Sequence, residues 1–353
     1  MERIANRASE ATAVAVLREG YWDRTELIRL PDGSLRVRKA SQSARTGPWS
    51  LVALRREIRY LQSLSGQVAG YFPKLLAAWD EGGRAGYEMS YIDDSRDVGA
   101  IAQSGQIDQS QADLFQDALG RVIFDLVHTP ARPDQALSAH VKETMFGVLA
   151  ELESQERLSP LIAAGAILVN GQRLSGTRLA AQRICERAGM LSSLDDGPCV
   201  RLHGDCFLEN ILLPARATDQ DWPQRLTLLD PVSVAGVDRG HPMFDLVKYE
   251  SYATGELLAL RSGKVQVEGF DRPTENCYLY RLRTDEPTIQ PFVRIDWGGR
   301  FRAAYVRKYG PVNLRAYHLL EGYFALVMAL CTRGLQREAR LLRATIALNA
   351  AVE

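Results

Sequence analysis

Cysteine is scarce in this chain: five in 353 residues, at Cys185, Cys199, Cys206, Cys277 and Cys331. An odd, widely spaced set builds no disulfide framework, so free thiols in a reducing compartment are expected. Long apolar runs are lacking too. The longest, 161–169, falls far short of the roughly 20 residues that a spanning helix needs. The N-terminal stretch carries Glu2 and Glu10 and no signal-like apolar core. These absences predict a cytoplasmic protein with no membrane partner. Neither sign of charge dominates: 43 Lys and Arg balance 43 Asp and Glu. Bulk electrostatics therefore gives no pull on a large polyanion, and nucleic acid is not the expected partner. Three motifs are missing as well: G-x-x-x-x-G-K-[ST], G-x-G-x-x-G and G-x-S-x-G. Their absence removes P-loop enzymes, dinucleotide-binding enzymes and elbow-type serine hydrolases.

What is present is a globular share of apolar residues, 46%, beside 24% charged, with the signs unevenly spread. Residues 1–90 carry 14 basic and 10 acidic side chains, 91–170 carry 5 and 12, and 271–353 carry 13 and 8. Such asymmetry predicts differently charged surfaces or a shaped cleft. Short runs at 26–30 and 35–40 flank Pro31-Asp32-Gly33-Ser34 and read as a hairpin. In the second run Leu35, Val37 and Lys39 share the face expected to be covered, where a lysine needs a partner or a ligand. A polar stretch, 41–47, precedes a helix over about 50–64 with the stripe Leu51, Leu54, Ile58 and Leu61. Glu57 borders that stripe and can face the sheet. A second strand pair is expected near 75–79 and 86–92. Beyond Asp93 helical periodicity takes over, clearest in 110–127 through Leu114, Ala118, Leu119, Val122, Ile123 and Leu126. Further helices are expected near 138–155, 176–190, 312–331 and 335–348, with Gly334 ending the third of these. The arginine-rich stretch 281–308 has no readable period.

The densest group of chemically capable side chains is His203-Gly204-Asp205-Cys206-Phe207-Leu208-Glu209-Asn210, followed by the apolar run 211–213. A second short run, 226–229, ends at Asp230. If the two runs pair as a hairpin, Asp205, Asn210 and Asp230 converge at one end of it. Two carboxylates and an amide oxygen are hard ligands, suited to Mg²⁺ on phosphate oxygens. One carboxylate is then left to face an incoming hydroxyl. Phosphoryl transfer requires that combination of metal, charge neutralisation and oriented nucleophile.

His203-Gly204-Asp205, with Asn210 five residues beyond the aspartate, resembles the catalytic loop of the aminoglycoside phosphotransferase family of small-molecule kinases. The resemblance spans roughly 15–250. It implies an α+β, bilobal protein-kinase-like fold. Residues 1–90 would form a small β-sheet lobe with one key helix and the hinge strand. Residues 91–353 would form a large, mainly helical lobe for catalysis and acceptor binding. The resemblance also implies ATP, with GTP as the alternative, together with Mg²⁺. Asp205 resembles the catalytic aspartate, and Asn210 and Asp230 resemble the metal ligands. Lys39 and Glu57 resemble the phosphate-contacting lysine and its helix-borne partner. Tyr87-Glu88-Met89-Ser90-Tyr91-Ile92 resembles the hinge strand, so Met89, Ser90 and Tyr91 would meet the adenine. His203 and Asp245 resemble residues that brace the loop. Departures are visible. The phosphate-covering loop, Arg18-Glu19-Gly20-Tyr21-Trp22-Asp23, has one glycine and two bulky aromatics, and Asp230 is followed by Pro231-Val232 instead of glycine.

Plainer roles exist for each residue. Asp205 and Asn210 can cap local backbone, Asp230 can be a turn acid, Lys39 a strand charge, and Glu57 a partner of Arg56 or Arg59. Cys199, His203 and Cys206 lack a fourth nearby ligand for zinc, and Cys206 has no base to activate it. The basic 281–308 stretch reads as a solvated surface balancing the acidic 91–170 segment, with an anion-recognising surface as the alternative. Its aromatics Phe292, Trp297, Phe301 and Tyr305 read as core. The expected partner is a small hydroxylated acceptor: a metabolite, sugar, nucleoside or antibiotic-like molecule. Charge complementarity favours a neutral or anionic one over a polycation. A monomer or homodimer is expected. Two other classes stay open: a kinase-like nucleotide-binding regulatory module without efficient transfer, and a nucleotidyl-transferring enzyme on the same fold.

Overall fold

The computed structural model describes residues 8–20, 22–42, 49–215 and 225–353. Position 21, most of the polar stretch 41–47 and most of the loop 214–225 lie outside the described residues. The first hairpin joins β2 (Asp23–Arg29) to β3 (Leu35–Ser41) and is preceded by β1 (Thr12–Glu19). Its turn closes through the Leu30 N–H on the Ser34 carbonyl at 2.9 Å, with Gly33 at φ +86 supplying the left-handed residue. With β4 (Leu75–Glu81) and β5 (Arg84–Ser90) these strands form an antiparallel sheet in the order β1-β2-β3-β5-β4. β1 is the exposed edge, and its register against β2 shifts between Val16 and Arg18. Such a shift re-aims the side chains that follow it.

Helix α1 (Ser50–Ser63) lays its buried stripe, Leu54, Ile58 and Leu61, on one face of this sheet. The other face carries the buried Glu88, held by Arg36 at 3.2 Å, Arg38 at 2.8 Å and the Ser9 N–H at 2.8 Å. Arginines on the outward face of β3 thus have a carboxylate to meet.

The large part of the chain is mainly helical. The helix Gln109–Gly120 continues as a π-helical segment, Arg121–Val127. Its inward face runs through Ala112, Phe115, Leu119, Val122 and Ile123, whereas Leu114 is 52% exposed and Leu126 only half-buried. The helical phase set by Phe115 displaces the expected Leu114. Leu314–Cys331 packs on Gly334–Val352. Their approach is close enough that a Cβ at Gly322 would lie 2.6 Å from Leu348. Gly334 begins the second helix instead of ending the first. Leu314–Cys331 is long and apolar enough to cross a membrane by length and composition, but 67% of it is buried within the fold.

A four-stranded sheet in this part has no counterpart in the sequence-based expectation. It comprises Ile167–Val169, Gln172–Leu174, Val265–Glu268 and Cys277–Leu282. The stretch 281–308 resolves into the end of that last strand, a short helix Gln290–Val293 and the helix Gly299–Tyr309. Phe292, Trp297, Phe301 and Tyr305 are all buried, which leaves them no face for stacking on a base. Arg300 reaches Asp113 and Asp117 at 3.7 and 3.9 Å, and Lys308 reaches Asp125 at 3.3 Å. Two cations of the basic stretch thus meet acids of the 91–170 segment, whereas Arg283 pairs with Glu286 and Arg302 with Glu250.

Candidate active site

The loop 203–210 leaves the short strand Val200–Arg201. It turns at Gly204, φ +82, where a Cβ would sit 2.4 Å from the Val237 carbonyl oxygen. Only glycine fits there. Beneath it Asp245, fully buried on the helix Met243–Ala253, accepts the N–H groups of His203 at 2.8 Å and Gly204 at 2.7 Å. Its other contact is His128 Nε2 at 3.0 Å. Burial works to raise the Asp245 pKa, but His128 and the loop donors outweigh it and hold the carboxyl below its usual range. His203 stacks on Phe72, and burial lowers its pKa. It is a fully buried residue packed beneath the loop.

Two groups fix Asp205. Asn210 Nδ2 donates to its backbone carbonyl and to Oδ2, both at 3.0 Å. Lys248, three residues after Asp245 and 4% exposed, places Nζ 2.7 Å from Asp205 Oδ1. The ammonium is enclosed by the rings of Tyr252, Phe324 and Phe207, whose centroids lie 4.9, 5.2 and 5.7 Å away. Burial opposes its charge, yet Asp205 raises its pKa above the ordinary lysine value.

The strand Ile211–Pro214 pairs antiparallel with Thr227–Leu228, matching Ile211 to Leu228. That register brings Asp230 beside Asn210. Asp230 and Val232 both have positive φ, +50 and +83. Val232 N–H bonds the His203 carbonyl at 2.6 Å, so the position taken by valine still has a backbone shape suited to glycine.

From the sheet, Lys39 points inward as the strand alternation predicts. Its Nζ lies 2.9 and 3.1 Å from the two oxygens of Glu57 on α1, and 3.0 Å from Asp230 Oδ1. Tyr87 OH donates to Glu57 at 2.8 Å. Against burial, Asp230 and Glu57 hold Lys39 well above the ordinary lysine pKa. One ammonium serves two carboxylates, and burial pushes the Glu57 carboxyl up to about 8 despite Lys39. Asp230 stays below the usual carboxylate range: burial raises it, but Lys39 and Arg18 prevail.

Arg18, at the end of β1, spans the remaining gap. Its Nη1 is 3.2 Å from Asn210 Oδ1 and 2.9 Å from Asp230 Oδ2. Two hard oxygens thus converge on one cationic group, and the donor set fits a cation such as Mg²⁺. Among the described residues no group of three or more His, Cys, Asp or Glu side chains could hold a metal alone. Phosphate oxygens would have to complete the shell.

Beside this cluster opens a cavity of about 670 Å³ lined by Val37, Met89, Tyr91, Leu212 and Leu229, among others. Ser90 lines it too, although its N–H is bonded to the Lys74 carbonyl at 2.9 Å and so is not offered to a ligand. On the other side of Arg18, a smaller pocket reaches Asp205 between Phe207, Tyr252, Leu257, Met328, Lys248 and Arg261. The structure brings Lys39, Glu57, Asp205, Asn210 and Asp230 together, with Met89, Ser90 and Tyr91 in the adjoining cavity. Sequence reasoning missed Arg18 and Lys248 as members of the site. The only signal for Lys248 was its place one helical turn after Asp245.

A five-stranded antiparallel sheet with one inward helix, set over a larger helical part, defines a protein-kinase-like fold. Among solved structures the chain is similar to a protein from Thermobifida fusca YX-ER1 described as a "putative fructosamine-3-kinase". The TM-score is 0.51 at 14% identity, over 97% of this chain and 94% of that one. At that identity the likeness is one of fold. No protein-family model and no curated protein matches the chain.

Proposed function

We propose that this protein is a Mg²⁺-dependent kinase that moves the γ-phosphoryl group of ATP to a hydroxyl of a small metabolite. One observation carries the reading: Lys39, Glu57, Asp205, Asn210 and Asp230 meet at one cleft beside a cavity large enough for a nucleotide. In this reading the base lies between Val37 and Leu212 against Met89 and Tyr91, GTP being the alternative to ATP. Lys39, kept extended by Glu57, contacts the phosphates. Asn210 and Asp230 would hold the metal, which supplies charge neutralisation at the phosphates. Asp205 accepts the acceptor's hydroxyl hydrogen, orients the oxygen for in-line attack, and takes the proton late in transfer. The lining beyond Asp205 is apolar and aromatic, and its two cations are each paired with an acid, Lys248 with Asp205 and Arg261 with Glu209. That lining supports a neutral or anionic hydroxylated acceptor over a polycationic one. Five unpaired cysteines support a reducing, cytoplasmic setting.

The test is calorimetric titration with ATP, with and without Mg²⁺, on wild type and Asp230→Asn. Wild type should bind in a Mg²⁺-dependent way, and the variant about tenfold more weakly, or ~1.4 kcal/mol. An acceptor screen with Asp205→Asn as the inactive control follows, ADP release marking phosphoryl transfer and pyrophosphate release marking nucleotidyl transfer. Folded wild type that binds neither ATP nor GTP would sink the proposal.

A further inference from the structure

We propose that Arg18 is the phosphate ligand that the glycine-poor loop supplies. It bonds Asn210 and Asp230, the residues that would hold the metal, and passes to the phosphate chain when a nucleotide–metal complex enters. The proposal rests on the kinase reading above and concerns a residue to which that reading gave no part.

Four observations support it. The first is contact: Nη1 bonds Asn210 Oδ1 at 3.2 Å and Asp230 Oδ2 at 2.9 Å, the two oxygens a metal would need. Asp230 Oδ1 is already on Lys39, so Oδ2 is the oxygen over which Arg18 and a metal compete. The second is placement. The register shift between Val16 and Arg18 turns this side chain into the cleft, where it lines both the large cavity and the pocket before Asp205. It stands at the junction between the two, where a phosphate chain would run. The third is loop chemistry. The single glycine, Gly20, is taken up by the turn: its N–H bonds the Asp23 carbonyl at 3.0 Å, and a Cβ there would strike Asp23 Oδ1 at 2.2 Å. The N–H of the one loop glycine is thus already used, and Arg18 beside it offers a planar, permanently charged donor that suits phosphate oxygens. The fourth is freedom. The Arg18 side chain keeps 41% of its surface exposed, so moving it breaks little packing.

The exchange has a definite sign. A nucleotide–metal complex offers Arg18 new anionic oxygens as the metal takes Asn210 and Asp230. A bare metal ion offers it nothing. Removing the guanidinium should therefore strengthen binding of metal alone and weaken binding of the complex. A residue that only joins the lobes, or only packs, would move both affinities the same way or neither.

The experiment measures Mn²⁺ binding by electron paramagnetic resonance of the free ion, without nucleotide, and Mn²⁺–ATP binding by calorimetry, on wild type and Arg18→Gln. The expected result is about tenfold tighter Mn²⁺ alone and about tenfold weaker Mn²⁺–ATP in the variant. Arg18→Lys, which keeps the charge, should show the same signs to a smaller extent and carries the test if Arg18→Gln does not fold. Wild type that binds Mn²⁺–ATP while both variants change in one direction, or by less than about twofold, overturns the Arg18 assignment alone. Wild type that binds no nucleotide overturns the kinase reading and this proposal with it.

Discussion

Lys248 and Asp205 should be energetically coupled, and the structure gives the size of the effect. Their charged atoms are 2.7 Å apart, with side chains 5% and 14% exposed. At an effective dielectric near 20, Coulomb attraction at that distance is about 6 kcal/mol before any desolvation cost. Desolvation removes much of this: breaking a fully buried pair costs about 3–5 kcal/mol, most of it from the charge left behind. Asp205 keeps some access to water, and the three rings around Lys248 hold the ammonium in place even without it. A coupling of about 2 kcal/mol is therefore expected. Lys248→Met keeps an unbranched side chain one atom shorter and removes its charge, and Asp205→Asn removes the other. Each single variant should lose about 2–3 kcal/mol and the double scarcely more than either, because neither charge is then left alone. Urea unfolding followed by tryptophan fluorescence reads this, Trp297 being buried in the same part of the fold. If the double variant equals the sum of the singles within about 0.5 kcal/mol, the two charges do not support each other and the argument fails.

Two other perturbations isolate single terms. Gly204→Ala puts a Cβ 2.4 Å from the Val237 oxygen at φ +82, whereas at Gly189, φ +77, a Cβ meets nothing within 4 Å. Both substitutions carry the left-handed cost of about 1–2 kcal/mol, so any excess at Gly204 in urea midpoints is the collision; equal losses would refute it. Burial raises the Glu57 pKa from 4.5 to about 8. The folded protein then keeps a proton that the unfolded chain releases, and this contribution to stability declines as pH rises between those values. The stability of wild type minus that of Glu57→Gln should accordingly fall from pH 5 to pH 8; a flat difference would mean that Lys39 keeps Glu57 ionised throughout.

Local chemistry was legible in the sequence, and contacts set by packing were not. Asp205, Asn210 and Asp230 lie on one loop and two short strands whose pairing needs few residues, so their convergence could be read directly. Strand alternation likewise turned Lys39 inward, and helical spacing turned Glu57 towards it. Arg18 escaped notice because its direction depends on a register shift at an exposed edge, which side-chain period cannot reveal. Lys248 reaches Asp205 only through the docking of Met243–Ala253 under the loop. The second sheet was hidden by strands of three to six residues, two of them in parallel contact between 168–169 and 277–278. Leu114 was misplaced because Phe115, next to it, sets the phase of the helix.

The segment 230–232 has a mechanical consequence. Pro231 admits only one φ, and it sits between two non-glycine residues at +50 and +83, the second β-branched and 7% exposed. Such backbone costs of the order of 1–3 kcal/mol per residue and persists only where its surroundings leave no other path. The turn that carries Asp230 is thus latched, and swinging Asp230 out would mean dragging Val232 from its packing and rebuilding a proline torsion. The backbone that carries Asp230 is thereby fixed more tightly than the exposed edge strand β1, from which Arg18 reaches it.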